Sequence, residues 1–99
     1  MPTRRNSRVP TAFEALGFRP EEAEHLRIRA DLMLALTRLI ADRGWTQAEA
    51  ARALGVTQPR VSDLVRGKID RFSIDALVSL LAHAGADVAV TVRPRRSAA

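Results

Sequence analysis

The stretch that most constrains what this chain can fold into is residues 46–67, TQAEAARALGVTQPRVSDLVRG, because its local chemistry specifies two short helices and the turn between them. Thr46 followed three residues later by Glu49 makes a capping box, in which the hydroxyl and the carboxylate each accept a backbone N–H that a first helical turn leaves unpaired. The helix that starts there stops after Leu54, because Gly55 enters the left-handed conformation without a Cβ penalty. Thr57 or Gln58 caps the next helix, with Pro59 in its first turn, where a missing N–H is harmless and the fixed φ already suits a helix. This second helix runs to Gly67.

Within the second helix, Val61, Leu64 and Val65 follow the i, i+3, i+4 spacing of a buried stripe, which leaves Gln58, Arg60, Ser62, Asp63 and Arg66 on the remaining surface. A polar set of this kind is either an ordinary solvated face or a reading face. Gln and Arg carry paired groups that match the major-groove edges of adenine and guanine, and Asp can accept from cytosine. The combination of turn, caps and polar face, more than any one residue, favours a DNA-reading helix-turn-helix.

The segment TQAEAARALGVTQPRVSDLVRGK resembles the DNA-binding core of the Xre/Cro-type helix-turn-helix regulators, whose pattern is roughly T-Q-x-E-L-A-x-x-L-G-V-S/T-Q-x-x-I/V-S-x-L-x-x-G. The resemblance implies an all-α, lambda-repressor-like domain of four to five helices. It also implies that Gln47 contacts the DNA backbone and that Gln58, Arg60, Ser62 and Asp63 read bases, with Thr57 beside them. Two departures stand out. Ala50 replaces the usual Leu, which shrinks the contact between the helices, and Pro59 replaces a residue able to read a base, so operator preference does not transfer.

A length of 99 residues with 46% apolar and 27% charged side chains is enough for one small globular core. There is no cysteine, which excludes disulfides and thiolate metal sites and fits a reducing cytoplasm. The longest apolar run, residues 32–36, is far short of the roughly 20 residues of a membrane span. A soluble, cytoplasmic protein is expected. The net charge of +5 is uneven: Arg4, Arg5 and Arg8 make the start basic, Arg93, Arg95 and Arg96 the end, and residues 45–72 hold five basic against three acidic groups. Basic tails flanking a modestly basic reading unit suit a polyanion, because each neutralised phosphate releases counterions. Arg66, Lys68 and Arg71, at and beyond the end of the second helix, are the residues expected to join Gln47 and Thr57 on phosphates.

Residues 1–12 contain two prolines and no periodicity and read as a disordered basic tail. Phe13, Leu16 and Phe18 then form an apolar patch, either a turn folded onto the core or a peptide that docks in a partner's groove. Pro20, Glu21 and Glu22 open a long helix that runs to Arg43 before Gly44 ends it. Its stripe of Leu26, Ala30, Met33, Leu36 and Ile40, widened by Ile28, Leu32 and Leu39, is broader than one core face requires. Such a helix either contacts several neighbours or meets a second chain. Past Gly67 comes a polar loop; Phe72 and Leu77 then make a hydrophobic staple around the capping Ser73 of a last helix, which extends to His83 or Ala84 and carries Ile74, Leu77, Val78, Leu80 and Leu81 inward. His25 and His83 are isolated, and no nucleophile–base pair, metal spacing or glycine-rich phosphate loop is present, so neither an enzyme nor a cofactor or metal is expected.

At the end of the chain the period changes to two: Val88, Val90 and Val92 alternate with Ala89, Thr91 and Arg93, which predicts a β-strand. A lone strand must find an edge, and the simplest is its own copy across a two-fold axis, giving a homodimer on a palindromic duplex. Pairing with residues 7–12 or with another protein's sheet edge is the competing possibility. From residue 13 to residue 94 the order of elements, with FEALGFRPEEAE before a long helix and a valine-rich strand at the end, is similar to the HigA-type antitoxins. That resemblance implies a RelE-like mRNA-cleaving toxin bound through Phe13, Leu16 and Phe18, with repression of the protein's own operon. A stand-alone phage-type or orphan repressor would share the layout. The expected division is thus a tail at 1–12, a partner-binding segment at 13–25, the helix-turn-helix domain at 26–85, a dimerising strand at 86–93 and a basic tail at 94–99.

Overall fold

The computed structural model describes residues 12–94, and the tails assigned to residues 1–12 and 94–99 lie, apart from Ala12 and Pro94, outside them. Among the described residues five α-helices follow one another: α1 (Ala12–Ala15), α2 (Pro20–Asp42), α3 (Gln47–Leu54), α4 (Gln58–Val65) and α5 (Ile74–His83), with a 3-10 turn at Ile69–Arg71. Each boundary has a local cause. Glu22 accepts the Arg19 N–H at 3.1 Å at the head of α2, where Pro20 occupies the first turn. Thr46 and Glu49 form both halves of the capping box, at 3.1 and 2.8 Å. Thr57, not Gln58, caps α4 by accepting the Arg60 N–H at 3.3 Å, and Ser73 caps α5 by accepting from Ala76 at 3.0 Å.

The two ends that matter most for the site are closed by glycines. Gly55 has φ 72°, and the Val56 N–H returns to the Ala51 carbonyl at 3.0 Å. Gly67 has φ 73°, and the Lys68 N–H returns to Asp63 at 3.0 Å. These are Schellman closures, which satisfy the orphan carbonyls of a helix end and turn the chain sharply. They fix where α4 begins and ends relative to α3 and to the loop that follows.

The core is one cluster drawn from every helix except α1. Met33, Leu36 and Ile40 come from α2, Ala50, Ala51 and Leu54 from α3, Val61 and Leu64 from α4, and Leu77, Leu80, Leu81 and Ala84 from α5. Phe72 is the largest side chain buried almost completely. Ala50 is fully buried, so the small residue at that position lets α3 and α4 approach closely. The long α2 packs against α1, α4, α5 and the 3-10 turn, which accounts for its wide apolar arc by intramolecular contacts. No polar or charged side chain is buried among the described residues.

Two sequence expectations need correction. Val65 does not complete a buried stripe: it is 41% exposed, because at about 100° per residue the inward direction set by Val61 and Leu64 leaves it on the shoulder of α4. Residues 86–94 form no strand, and no strand occurs among the described residues. The alternation is present, but a strand is defined by a ladder, and no other described segment pairs with this one. Ala86 and Val88 pack against the core, while Val90 and Val92 are 81% and 87% exposed. Among the described residues no helix is long and apolar enough to cross a membrane.

Candidate nucleic-acid interface

The surface offered by α3, the turn and α4 follows from what the core takes. With Ala50, Ala51, Leu54, Val61 and Leu64 turned inward, Gln47 stands exposed in the first turn of α3, and Thr57, Gln58, Pro59 and Arg66 stand exposed on and around α4. Pro59 and Arg66 lie opposite the packed stripe, and Ser62 is half-buried beside them. Both ends of α4 are therefore accessible, Thr57, Gln58 and Pro59 at its start and Val65 and Arg66 at its end.

Arg60 is placed differently from its neighbours. Its guanidinium lies over the Phe72 ring, 4.0 Å from the centroid, and its Nη1 donates to the Arg71 carbonyl at 2.6 Å. Asp63, also expected on the reading face, accepts from Arg71 Nη1 at 3.2 Å, with its side chain only 20% exposed. Arg60, Asp63, Arg71 and Phe72 thus form one group at the flank of α4. Arg66 is exposed and Lys68 half-buried around the Gly67 turn, close in sequence to this group.

Several contributors had no sequence signal beyond their residue type. Phe72 was legible as a staple but not as a platform for an arginine. Arg29, in the middle of α2, donates to the Ile69 carbonyl at 3.3 Å and ties the loop after α4 to the longest helix. Arg43 lies over the Trp45 ring at 5.2 Å, just ahead of α3, and adds a cation near Gln47 along the chain. The capping carboxylate of Glu49 is held below its ordinary range, chiefly by the Thr46 backbone N–H and then by the Thr46 hydroxyl, so it stays ionised where it supports the first turn of α3.

The other predicted sites lie elsewhere on the molecule. Phe13 and Phe18 meet edge to face, 6.2 Å between centroids at 82°, and Leu16 beside them is 76% exposed. The segment with Val88, Val90 and Val92 borders an open groove of about 390 Å³ whose walls include Ile28, Leu32, Ile74 and Val78. Arg27 at its rim binds Glu24 at 2.9 Å and Asp31 at 3.0 Å, and the Glu24 hydrogen bond is the main cause that raises its pKa. No group of His, Asp or Glu among the described residues could hold a metal ion.

Residues 14–93 match the family model of a helix-turn-helix domain. A solved structure assigned provisionally to the XRE family of transcriptional regulators superposes with a TM-score of 0.72 at 36% identity, covering 79% of this chain and 91% of the other. No curated protein matches the sequence.

Proposed function

Because this chain belongs to the helix-turn-helix domain family, in the XRE manner, we propose that it is a sequence-specific DNA-binding transcriptional regulator that works by placing the start of α4 in a major groove. The observation that carries this reading is the division of α3 and α4 into a packed apolar side and an exposed remainder, with Gln47, Thr57, Gln58 and Arg66 all exposed. Gln58 and Arg60 are the side chains whose paired groups suit base edges, with Ser62 as a further donor or acceptor, and Pro59 between them can offer only apolar contact, such as to a thymine methyl. Gln47, Thr57, Arg66, Lys68 and Arg71 would fix register on phosphates.

The finer reading is a homodimeric, cytoplasmic, HigA-type antitoxin that binds a RelE-like toxin and represses its own operon. Exposed Leu16 beside the Phe13–Phe18 pair supports a protein-docking segment there. Exposed Val90 and Val92 support two-fold pairing of residues 88–92, which would bring two copies of α4 to about 34 Å apart, one turn of DNA. A stand-alone repressor differs only in lacking the toxin.

Footprinting the full chain on its gene's own upstream DNA tests the function. The expected result is a protected palindrome competed poorly by scrambled duplex at the same salt; equal affinity for both would overturn sequence-specific regulation. Recovery of a small basic nuclease with the chain from its native cell separates antitoxin from stand-alone repressor.

A further inference from the structure

The contacts around Arg60 fix its direction before any DNA arrives. Its guanidinium is stacked on Phe72 at 4.0 Å, its Nη1 is engaged by the Arg71 carbonyl at 2.6 Å, and the Arg71 side chain is itself held by Asp63 at 3.2 Å. Of the ion pair, Asp63 is the more covered member, its side chain 20% exposed against 53% for Arg71, so the carboxylate sits beneath the arginine rather than on the outer side of α4. Its Oδ2 is committed to that pair, and a carboxylate covered to this extent is poorly placed to accept a hydrogen bond from the N4 amine of cytosine. An unpaired carboxylate would also face a duplex rich in phosphate, where like charges repel.

Resting on the DNA-binding reading above, we propose that Asp63, Arg71 and Phe72 are positioning residues that pre-order Arg60 as the guanine-reading fork, and that Asp63 reads no base itself. The pair with Asp63 holds the Arg71 main chain and side chain in place, the Arg71 carbonyl takes one N–H of Arg60, and the ring fixes the plane of the guanidinium. A guanidinium has five donors in a planar fork, so one N–H committed to a carbonyl leaves others for the O6 and N7 of guanine. A long side chain ordered in advance loses less freedom on binding, which raises affinity for the matching base and widens the gap to the wrong one. Asp63 follows Arg60 by three residues on α4, while Arg71 and Phe72 reach back to it only because Gly67 reverses the chain.

The test is a panel of operator duplexes carrying each single base-pair change, titrated at fixed salt with the wild-type chain, Arg60→Ala, Asp63→Asn, Asp63→Glu, Arg71→Gln and the Arg60→Ala/Asp63→Asn double variant, with Trp45 fluorescence confirming the fold of each. Arg60→Ala is expected to lose roughly 5- to 150-fold discrimination at one G·C pair. Asp63→Asn and Arg71→Gln should lose discrimination at that same pair, by about 2- to 5-fold as for a partly exposed ion pair. Asp63→Glu should restore part of it, and the double variant should be no worse than Arg60→Ala alone. In the free protein the Arg60 Nε–Hε NMR signal should be displaced by the Phe72 ring and should relax toward free arginine in Asp63→Asn. A shift of preference at a different base pair in Asp63→Asn, additive losses in the double variant, or an undisplaced Arg60 signal in the wild type would each overturn the proposal. Failure of the wild type to distinguish operator from random DNA would instead remove the regulatory reading, and the proposal with it.

Discussion

Leu64 and Val65 are adjacent apolar residues on α4, and a sequence stripe treats them alike, yet the fold predicts opposite costs for truncating them. Leu64 is 1% exposed and Val65 41%. Leu64→Ala removes three carbon groups, about 2.4 kcal/mol of transfer free energy at roughly 0.8 kcal/mol each. The unfilled space left in the core cluster adds to this, for a total of about 3–4 kcal/mol. Val65→Ala removes two groups already more than a third exposed, worth roughly 1 kcal/mol. About half of that returns because alanine is the better helix former. The net change is within about 0.5 kcal/mol. A domain of this size has a total stability of roughly 4–12 kcal/mol, so Leu64→Ala should lower Tm by roughly 15–25 °C and approach unfolding, while Val65→Ala should be nearly silent. Urea titration followed in parallel by Trp45 fluorescence and far-UV circular dichroism measures both. A loss above about 2 kcal/mol for Val65→Ala, or below about 1 kcal/mol for Leu64→Ala, would refute the placement of α4 against the core.

Other substitutions probe the turns and the site. Gly67→Ala introduces a Cβ that meets nothing within 4 Å, so its cost is the left-handed backbone alone, about 1–2 kcal/mol by thermal denaturation; a neutral result would contradict the φ of 73°. Glu49 has its carboxylate pKa depressed in the folded state, so its contribution is complete above the unfolded value near 4.3 and is lost as pH falls through the lower folded value. Glu49→Gln should therefore flatten stability against pH below about pH 4.3 while leaving its slope near neutrality unchanged, as followed by acid titration of Trp45 fluorescence. On operator DNA, Arg60→Ala should cost about 1–3 kcal/mol with relaxed specificity, whereas Lys68→Ala should weaken binding to all sequences and reduce the salt slope by about one unit in fluorescence anisotropy. Equal losses on operator and random duplex for Arg60→Ala would count against base reading.

Much of this molecule was settled within a few residues of each position. The capping box of Thr46 and Glu49, the hydroxyl caps of Thr57 and Ser73, and the glycine closures at Gly55 and Gly67 all join groups three to five residues apart, so the amino-acid order alone specifies them, and with them the helix-turn-helix and its exposed first turn. Side-chain direction across the chain was not specified in that way. Whether Val65 is covered, whether Arg60 stands free or is stacked on Phe72, and whether Asp63 meets solvent or Arg71 depend on how α4 and the chain beyond Gly67 pack, over separations of 8 to 12 residues. Arg29 and Ile69 meet across 40 residues, which no local pattern encodes. The valine alternation at residues 88–92 is the limiting case: its period prepares a strand, but hydrogen bonds along an edge require a second edge, and the packing of the described residues supplies none.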